Sequence, residues 1–477
     1  MAEGAATARL EAGSFRDRDG RVFYRDGRVY RALSEEGLED WKRLAATRFF
    51  PRMVEAGKIV PTETADLPPS SLESLPGPWV AALEHERIPF VTYPYEWCFS
   101  MLRDAALLQL ELVAAALDED LIPKDATSYN VQWRGCRPVF IDTASFENLA
   151  PGDPWVGYLQ FCRLFLYPLL LTAHLDIPFH PWMRGDLEGP TPAAMSAVFG
   201  SWRRRLKPGV LRDVYLQAKL QAGAAEGDAA VRGELREAGF PKELIVANVK
   251  RLQGLVDRLR WRREHSEWAA YDGDNTYDSE ARGVKEQFVA DVAAERHRKL
   301  VWDLGANTGR YSLLAAAHAD RVVAFDADHL AIERLYRRLR KEGPDNVLPL
   351  VMNLAAPSPG LGWRHGERAS LGERPSPDLV LALALIHHVV IGAHVPLPDF
   401  VAWLGDLGAD LVIEFVTKDD PMVKRLLRNK ADRYHDYEPE VFEACLAERF
   451  EIVRREGLPS GTRTLYHARP RSLPTSP

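Results

Sequence analysis

The chain has 477 residues, 46% of them hydrophobic and 27% charged, with 12 Trp; that is more than one ordinary core holds, so at least two domains are expected and wholesale disorder is excluded. Its formal net charge of -7 argues against non-specific affinity for nucleic acid or anionic membranes, which needs a surplus of Lys and Arg, and leaves room only for a local basic patch. The cysteines Cys98, Cys136, Cys162 and Cys445 form no CxxC pair, which points to reduced thiols of a cytoplasmic protein and away from a zinc site or a disulfide framework.

The start, MAEGAATARLEAG, lacks the apolar core of a secretory signal. Residues 14 to about 200 then mix short strands with apolar helices: GRVFYRDGRVYRAL is predicted as a hairpin, LEDWKRLAATRFFPRMVEAG as a helix, IPFVTYPYEW as a strand and hinge, and CFSMLRDAALLQLELVAAAL as a long helix. In LIPKDATSYNVQW and RPVFIDTASFE, Asp125 is followed five residues later by Asn130 and then by a strand ending in Asp142. This spacing resembles the catalytic loop of protein kinases, where the first acid receives a hydroxyl proton and the other two residues hold magnesium. The resemblance implies an α+β kinase-like domain over 1–200 with Asp125, Asn130 and Asp142 as candidate nucleotide and magnesium residues. It departs from the pattern at three points: no glycine-rich loop lies near 14–24, Arg31 stands where a lysine is expected, and Pro123 replaces the loop histidine. An active kinase is therefore not expected, and the three residues have a plainly structural alternative as satisfiers of loop backbone. The apolar stretch FCRLFLYPLLLTAHL, interrupted by Arg163 and Pro168, is shorter than the ~20 residues of a membrane span and is predicted to be a buried helix.

Residues 201–265 carry apolar positions at three- and four-residue spacing and read as a helical connector, with AGAAEGDAA at 222–230 as a protease-sensitive boundary. From Lys299 the pattern changes. KLVWD, VVAFD, NVLPLVM, DLVLALAL and DLVIEFV are short apolar runs separated by helix-length segments, which predicts a parallel sheet wrapped by helices. FEIVRRE and TRTLYHA are expected to add an antiparallel edge, and the tail RPRSLPTSP to be disordered.

The strand KLVWD runs into Asp303, Leu304, Gly305, Ala306, Asn307, Thr308 and Gly309, small residues where the backbone must turn sharply and admit a ligand to a helix N-terminus. The next strand ends in Asp326, placed where a carboxylate accepts from both hydroxyls of a ribose. DLGANTG followed by VVAFDAD resembles the first two motifs of class I S-adenosylmethionine-dependent methyltransferases, and the segments around LIHHVVI and LVIEFVTKDDPMVKRLL extend the likeness to the nodulation-protein-type branch of that superfamily. The resemblance implies a Rossmann-like α/β domain of seven strands over 266–477, with S-adenosyl-L-methionine as cofactor. It also implies cofactor contacts from Asp303, Gly305, Asn307, Gly309, Asp326, Asn353 and Leu354, with Asn307 standing where a middle glycine is common; Tyr277 either folds over the cofactor as part of a lid or, with Trp268 and Tyr271, only fastens the connector to the domain.

For chemistry, His387 and His388 after the fourth strand are candidate bases, since imidazole titrates near neutrality, although packing or cofactor contact is the preferred role. Glu414 is a candidate for fixing an acceptor hydroxyl or ammonium, with the capping of a loop at the sheet's carboxyl edge as the structural alternative. Asp419 and Asp420 before Pro421 read as a helix cap, and Glu367 and Arg368 as a pair with each other or with a loop. The function expected is methyl transfer to an O or N of a small-molecule or peptide acceptor, without metal, nucleic acid or membrane as partner. The alternative is a bifunctional protein whose N-terminal domain binds ATP or transfers phosphate.

Overall fold

The computed structural model describes residues 8–224, 241–266, 279–428 and 433–471. The chain divides into two compact units, one of residues 1–133, 138–262 and 360–369, the other of 134–137, 263–359 and 370–477.

In the first unit β1 (Arg9–Leu10), β2 (Gly20–Arg25), β3 (Arg28–Leu33), β4 (Thr62–Thr64) and β5 (Ala81–His85) form an antiparallel sheet in the order β1-β2-β3-β5-β4. The β2–β3 hairpin turns through Asp26 and Gly27 at φ 50° and 77°, the backbone that an Asp-Gly pair accepts in a two-residue turn. Its register sets Phe23 opposite Tyr30, with the rings stacked at 5.3 Å, a cross-strand pair of the kind that stabilises a sheet.

The stretch expected as one helix is two, Glu35–Ala45 and Phe49–Glu55. Thr47 explains the break: its hydroxyl donates to the carbonyl of Leu44 at 2.7 Å and accepts from the N–H of Phe50 at 3.2 Å, closing one helix and opening the next. Residues 88–97 do not form the expected strand. Pro89 and Pro94 bring no N–H to a ladder, and the side-chain amide of Gln132 satisfies both the N–H and the carbonyl of Thr92, at 2.8 and 2.9 Å. The long helix follows as expected at Phe99–Leu117. Beyond it, β6 (Leu121–Pro123) pairs antiparallel with β9 (Phe146–Asn148), and β7 (Val131–Arg134) with β8 (Arg137–Phe140) makes a second two-stranded sheet.

The apolar stretch at 161–175 is helical and largely buried, with a π-helical turn at Cys162–Leu166. Residues 201–262 do not stand apart as a connector but group with the first unit. The helix Lys242–Arg258 packs on Phe99–Leu117 through buried Ile245, Val249, Leu252 and Val256. Of the expected protease-sensitive stretch, residues 225–230 lie outside the described residues. Among the described residues no helix is long and apolar enough to cross a membrane.

The second unit is built on seven strands: β10 (Val301–Leu304), β11 (Val322–Asp326), β12 (Val347–Val351), β13 (Leu379–Ala382), β14 (Asp410–Val416), β15 (Phe450–Gly457) and β16 (Arg463–Pro470), in the order β12-β11-β10-β13-β14-β16-β15. The first five run parallel, while β16 is antiparallel to β14 and to β15. Every residue of β10, β12, β13 and β14 is buried, as strands covered on both faces require. From β10 the chain builds outward to β11 and β12 on one side, then crosses to β13 and β14 on the other. The carboxyl ends of β10 and β13 thus flank the switch point, where open α/β sheets form a ligand crevice.

Candidate active site

After β10 the backbone passes through Gly305, Asn307 and Gly309 at φ 80°, 50° and 78° before entering the helix Arg310–Ala316. Left-handed backbone at these points lets the chain reverse within five residues, and Asn is among the few non-glycine residues that adopt it readily, so Asn307 fits where a glycine is common. The N–H groups of Gly305 and Ala306 both donate to the carbonyl of Phe325 at 2.9 Å, fixing the turn to β11. A side chain at Gly309 would meet Leu335 at 2.5 Å.

Two carboxylates organise this turn. Asp303 is buried and accepts from the Ser312 hydroxyl at 2.5 Å. Asp326 accepts the N–H of Asn307 on one oxygen at 2.8 Å and that of Asp328 on the other at 2.7 Å, bridging the two strand-to-helix turns. Burial pushes both carboxyls up to about 6; the Ser312 hydroxyl opposes this at Asp303, and the two N–H groups oppose it at Asp326. Asp328 caps the following helix through the N–H groups of Leu330 and Ala331. Asn353 and Leu354 follow β12, whose end is tied to Asp326 by the Met352 N–H donating to the Asp326 carbonyl at 2.8 Å. The Asn353 side chain accepts from the N–H of Ala355 at 3.0 Å. Tyr277 lies outside the described residues.

Beyond β13, Ala384 takes φ 50° and the chain enters a π-helical turn at His388–Gly392. Strained backbone and π turns both cluster at functional sites. His387 is 1% exposed, its ring lies 4.1 Å from that of His388, and its Nδ1 has no hydrogen-bond partner among the described residues. Burial and then the neighbouring His388, Arg463 and Lys285 push His387 well below the usual imidazole range; burial and Arg463 push His388 down to about 4. Both rings are neutral at pH 7.

Glu414 does not stand open to an acceptor. It is fully buried and bonded to Lys285 Nζ at 2.5 Å and to Arg463 Nη1 at 3.3 Å. Burial alone would raise its pKa, but the charges of Lys285 and Arg463 hold the carboxylate below its ordinary range. Arg463 in turn forks onto Asp420 at 2.7 and 3.2 Å, and Asp420 caps the helix Pro421–Leu427 through the Met422 N–H at 2.9 Å. Two acids and two cations therefore close a balanced ionic knot. Sequence reading missed Lys285 and Arg463 because they lie 129 and 49 residues from Glu414, and no local motif marks such partners.

In the first unit Asp142 accepts from Asn130 Nδ2 at 3.1 Å and pairs with Arg31 Nη1 at 2.7 Å; Arg31 also reaches Asp17 at 3.4 Å. The carboxyl of Asp125 is raised by burial and by the nearby charge of Asp142. The three sequence candidates and Arg31 are thus brought into one neighbourhood. Glu367 takes the guanidinium of Arg16 at 2.8 and 3.0 Å, with Arg368 farther off at 3.7 Å. Among the described residues no group of three or more His, Cys, Asp or Glu is arranged to hold a metal ion.

No protein-family profile matches the chain. Over 457 residues it is 36% identical to the nodulation protein NoeA of Rhizobium meliloti (strain 1021), an alignment that spans 95% of both chains. The chain belongs to the NoeA family. Among solved structures, this NoeA-family chain is similar to the N-methyltransferase NodS from Bradyrhizobium japonicum WM9 in complex with S-adenosyl-l-homocysteine. The identity is 13% with a TM-score of 0.32, covering 43% of this chain and 94% of that one. Magnesium protoporphyrin IX methyltransferase (ChlM) from Synechocystis PCC 6803 with bound SAH is similar at 18% identity and a TM-score of 0.30, over 43% of this chain and 93% of that one. Likeness at this level carries no weight in assigning a ligand or an acceptor.

Proposed function

We propose that the second unit is a class I methyltransferase domain that binds S-adenosyl-L-methionine and transfers its methyl group to an oxygen or nitrogen of a small-molecule or peptide acceptor. The observation that carries this reading is Asp326, a half-buried carboxylate at the carboxyl end of β11, next to the switch-point strand β10, whose two oxygens already hold the glycine turn and the next helix start. Each of those oxygens has acceptor capacity left for a ribose hydroxyl. The cradle also fits: Gly305 sits at φ 80°, and a Cβ there would stand 3.3 Å from Leu385. The cofactor supplies an electrophilic methyl group on a sulfonium, and the chain's work is to hold it in line with a nucleophile. Asp303 stiffens the turn through Ser312. His387, buried, and His388, half-buried, are both neutral and serve as walls of the pocket; a ring held at about 4 is a poor base at neutral pH. The test is transfer of labelled methyl from S-adenosylmethionine into acceptors of a cell extract. Incorporation by the wild type and its loss in Asp326→Ala supports the reading, while no incorporation from any extract fraction counts against it.

A second reading concerns the first unit, and the Arg31–Asp142–Asn130 contact supports it: a kinase-like nucleotide-binding site in addition to the methyltransferase. Arg31 is a fixed fork rather than the point charge of a lysine, which favours binding phosphate over transferring it. Magnesium-dependent ATP binding that vanishes in Asp142→Ala would support this reading; absence of any ATP binding by the wild type would reject it.

A further inference from the structure

Residues 201–220, SWRRRLKPGVLRDVYLQAKL, lie in the first unit, and neither reading above uses them. Five large apolar side chains stand in solvent here: Trp202, Leu206, Leu211, Leu216 and Leu220, exposed by 67, 70, 54, 49 and 64%. Between them are Arg203, Arg204, Arg205, Lys207, Arg212 and Lys219, all exposed and without an ion-pair partner among the described residues. The single acid of the stretch, Asp213, is fully buried and taken by Arg251 at 2.6 and 2.9 Å. The exposed charge of these twenty residues is therefore six positive and none negative, on a chain whose net charge is -7.

The local backbone gathers these groups. Leu211–Leu216 is a π-helical turn continued by the helix Gln217–Ala224. The wider turn lets Leu211 and Leu216 share a face at a spacing of five, and Leu220 follows at the ordinary spacing of four. Arg205 lies 4.3 Å over the ring of Tyr215, which folds the Trp202–Arg205 turn back against this helix.

We propose that this stretch docks on a lipid surface bearing anionic headgroups. Bulky aliphatics and a Trp interleaved with Arg and Lys suit an interface at which apolar side chains enter the acyl boundary while cations meet phosphates at the same depth. An acidic protein would use the charges but leave the five exposed apolar side chains without a shaped partner, and left bare they invite aggregation. The surface stands independently of the cofactor site.

The full chain, sedimented with phosphatidylcholine vesicles with and without phosphatidylglycerol, tests the proposal. Binding is expected only to the anionic vesicles and is expected to fall as salt is raised. R203A/R204A/R205A should lose ~100-fold in affinity, about fivefold per cation, and Leu216→Ser with Leu220→Ser should weaken binding without abolishing its salt dependence. Circular dichroism checks the fold of each variant; if the triple variant does not fold, the exposed pair Lys207→Glu and Lys219→Glu replaces it. Equal binding to neutral vesicles, no binding to either, or undiminished binding by the charge variants overturns the proposal. So does soluble polyglutamate that competes fully with vesicles, which would assign the patch to an acidic protein instead.

Discussion

Asp326 carries the most weight among single residues. Its carboxyl, pushed up to about 6, takes a proton as the pH falls through that value, whereas ribose hydroxyls bind the ionised form. Affinity for S-adenosylmethionine should thus be full near pH 8 and fall by about tenfold per unit below the native pKa; Asp303 shifts in the same direction. A flat binding profile between about pH 5 and pH 8 would separate Asp326 from the ligand. Replacement of His387 or His388 by Gln should weaken cofactor binding and lower the saturated rate only modestly, since neutral rings act by position. A rate loss of ~10²- to 10⁴-fold in both single variants with cofactor binding intact would instead make them bases. The turn residues Asp303, Gly305, Gly309 and Asp326 were legible because strand, turn and acid lie within one local unit of sequence. The engagement of Glu414 was not, because its partners come from the helix Ser279–Ala294 and from β16.

At the scale of elements, the ionic knot joins that helix to β14 and β16. Glu414→Ala leaves Lys285 and Arg463 buried and short of one carboxylate, and should cost about 3–5 kcal/mol in denaturant unfolding. The double variant Lys285→Met with Glu414→Leu should recover part of that loss, because it removes charges along with their partner. A single-variant cost under about 1 kcal/mol would mean the knot is better solvated than its burial implies. Element type was readable where a periodic run was uninterrupted, as in β10 to β14. Reading failed at 88–97 and at the break between Glu35–Ala45 and Phe49–Glu55, where a side chain, Gln132 or Thr47, satisfies backbone groups that propensity assigns to a neighbour.

For the molecule as a whole, each unit includes a segment from the other's stretch of chain, 134–137 in one direction and 360–369 in the other. A fragment ending at residue 262 lacks Glu367, whose carboxylate receives Arg16 at 2.8 and 3.0 Å, so fragments 1–262 and 263–477 should each melt below the full chain. Equal melting temperatures for fragments and full chain would contradict this. Net composition does not resolve local charge at this scale: the total is -7, while residues 201–220 carry six exposed cations. The acceptor was not legible in sequence because no local motif encodes a pocket assembled from distant loops.

The measurement that tests the central claim most directly is isothermal titration of the full chain and of Asp326→Ala with S-adenosylmethionine. The wild type should bind one equivalent, and the folded variant should bind ~10- to 150-fold more weakly, the loss of charge-assisted hydrogen bonds to two ribose hydroxyls. No heat with the wild type, or the same affinity in both, would contradict the assignment of this crevice to the cofactor.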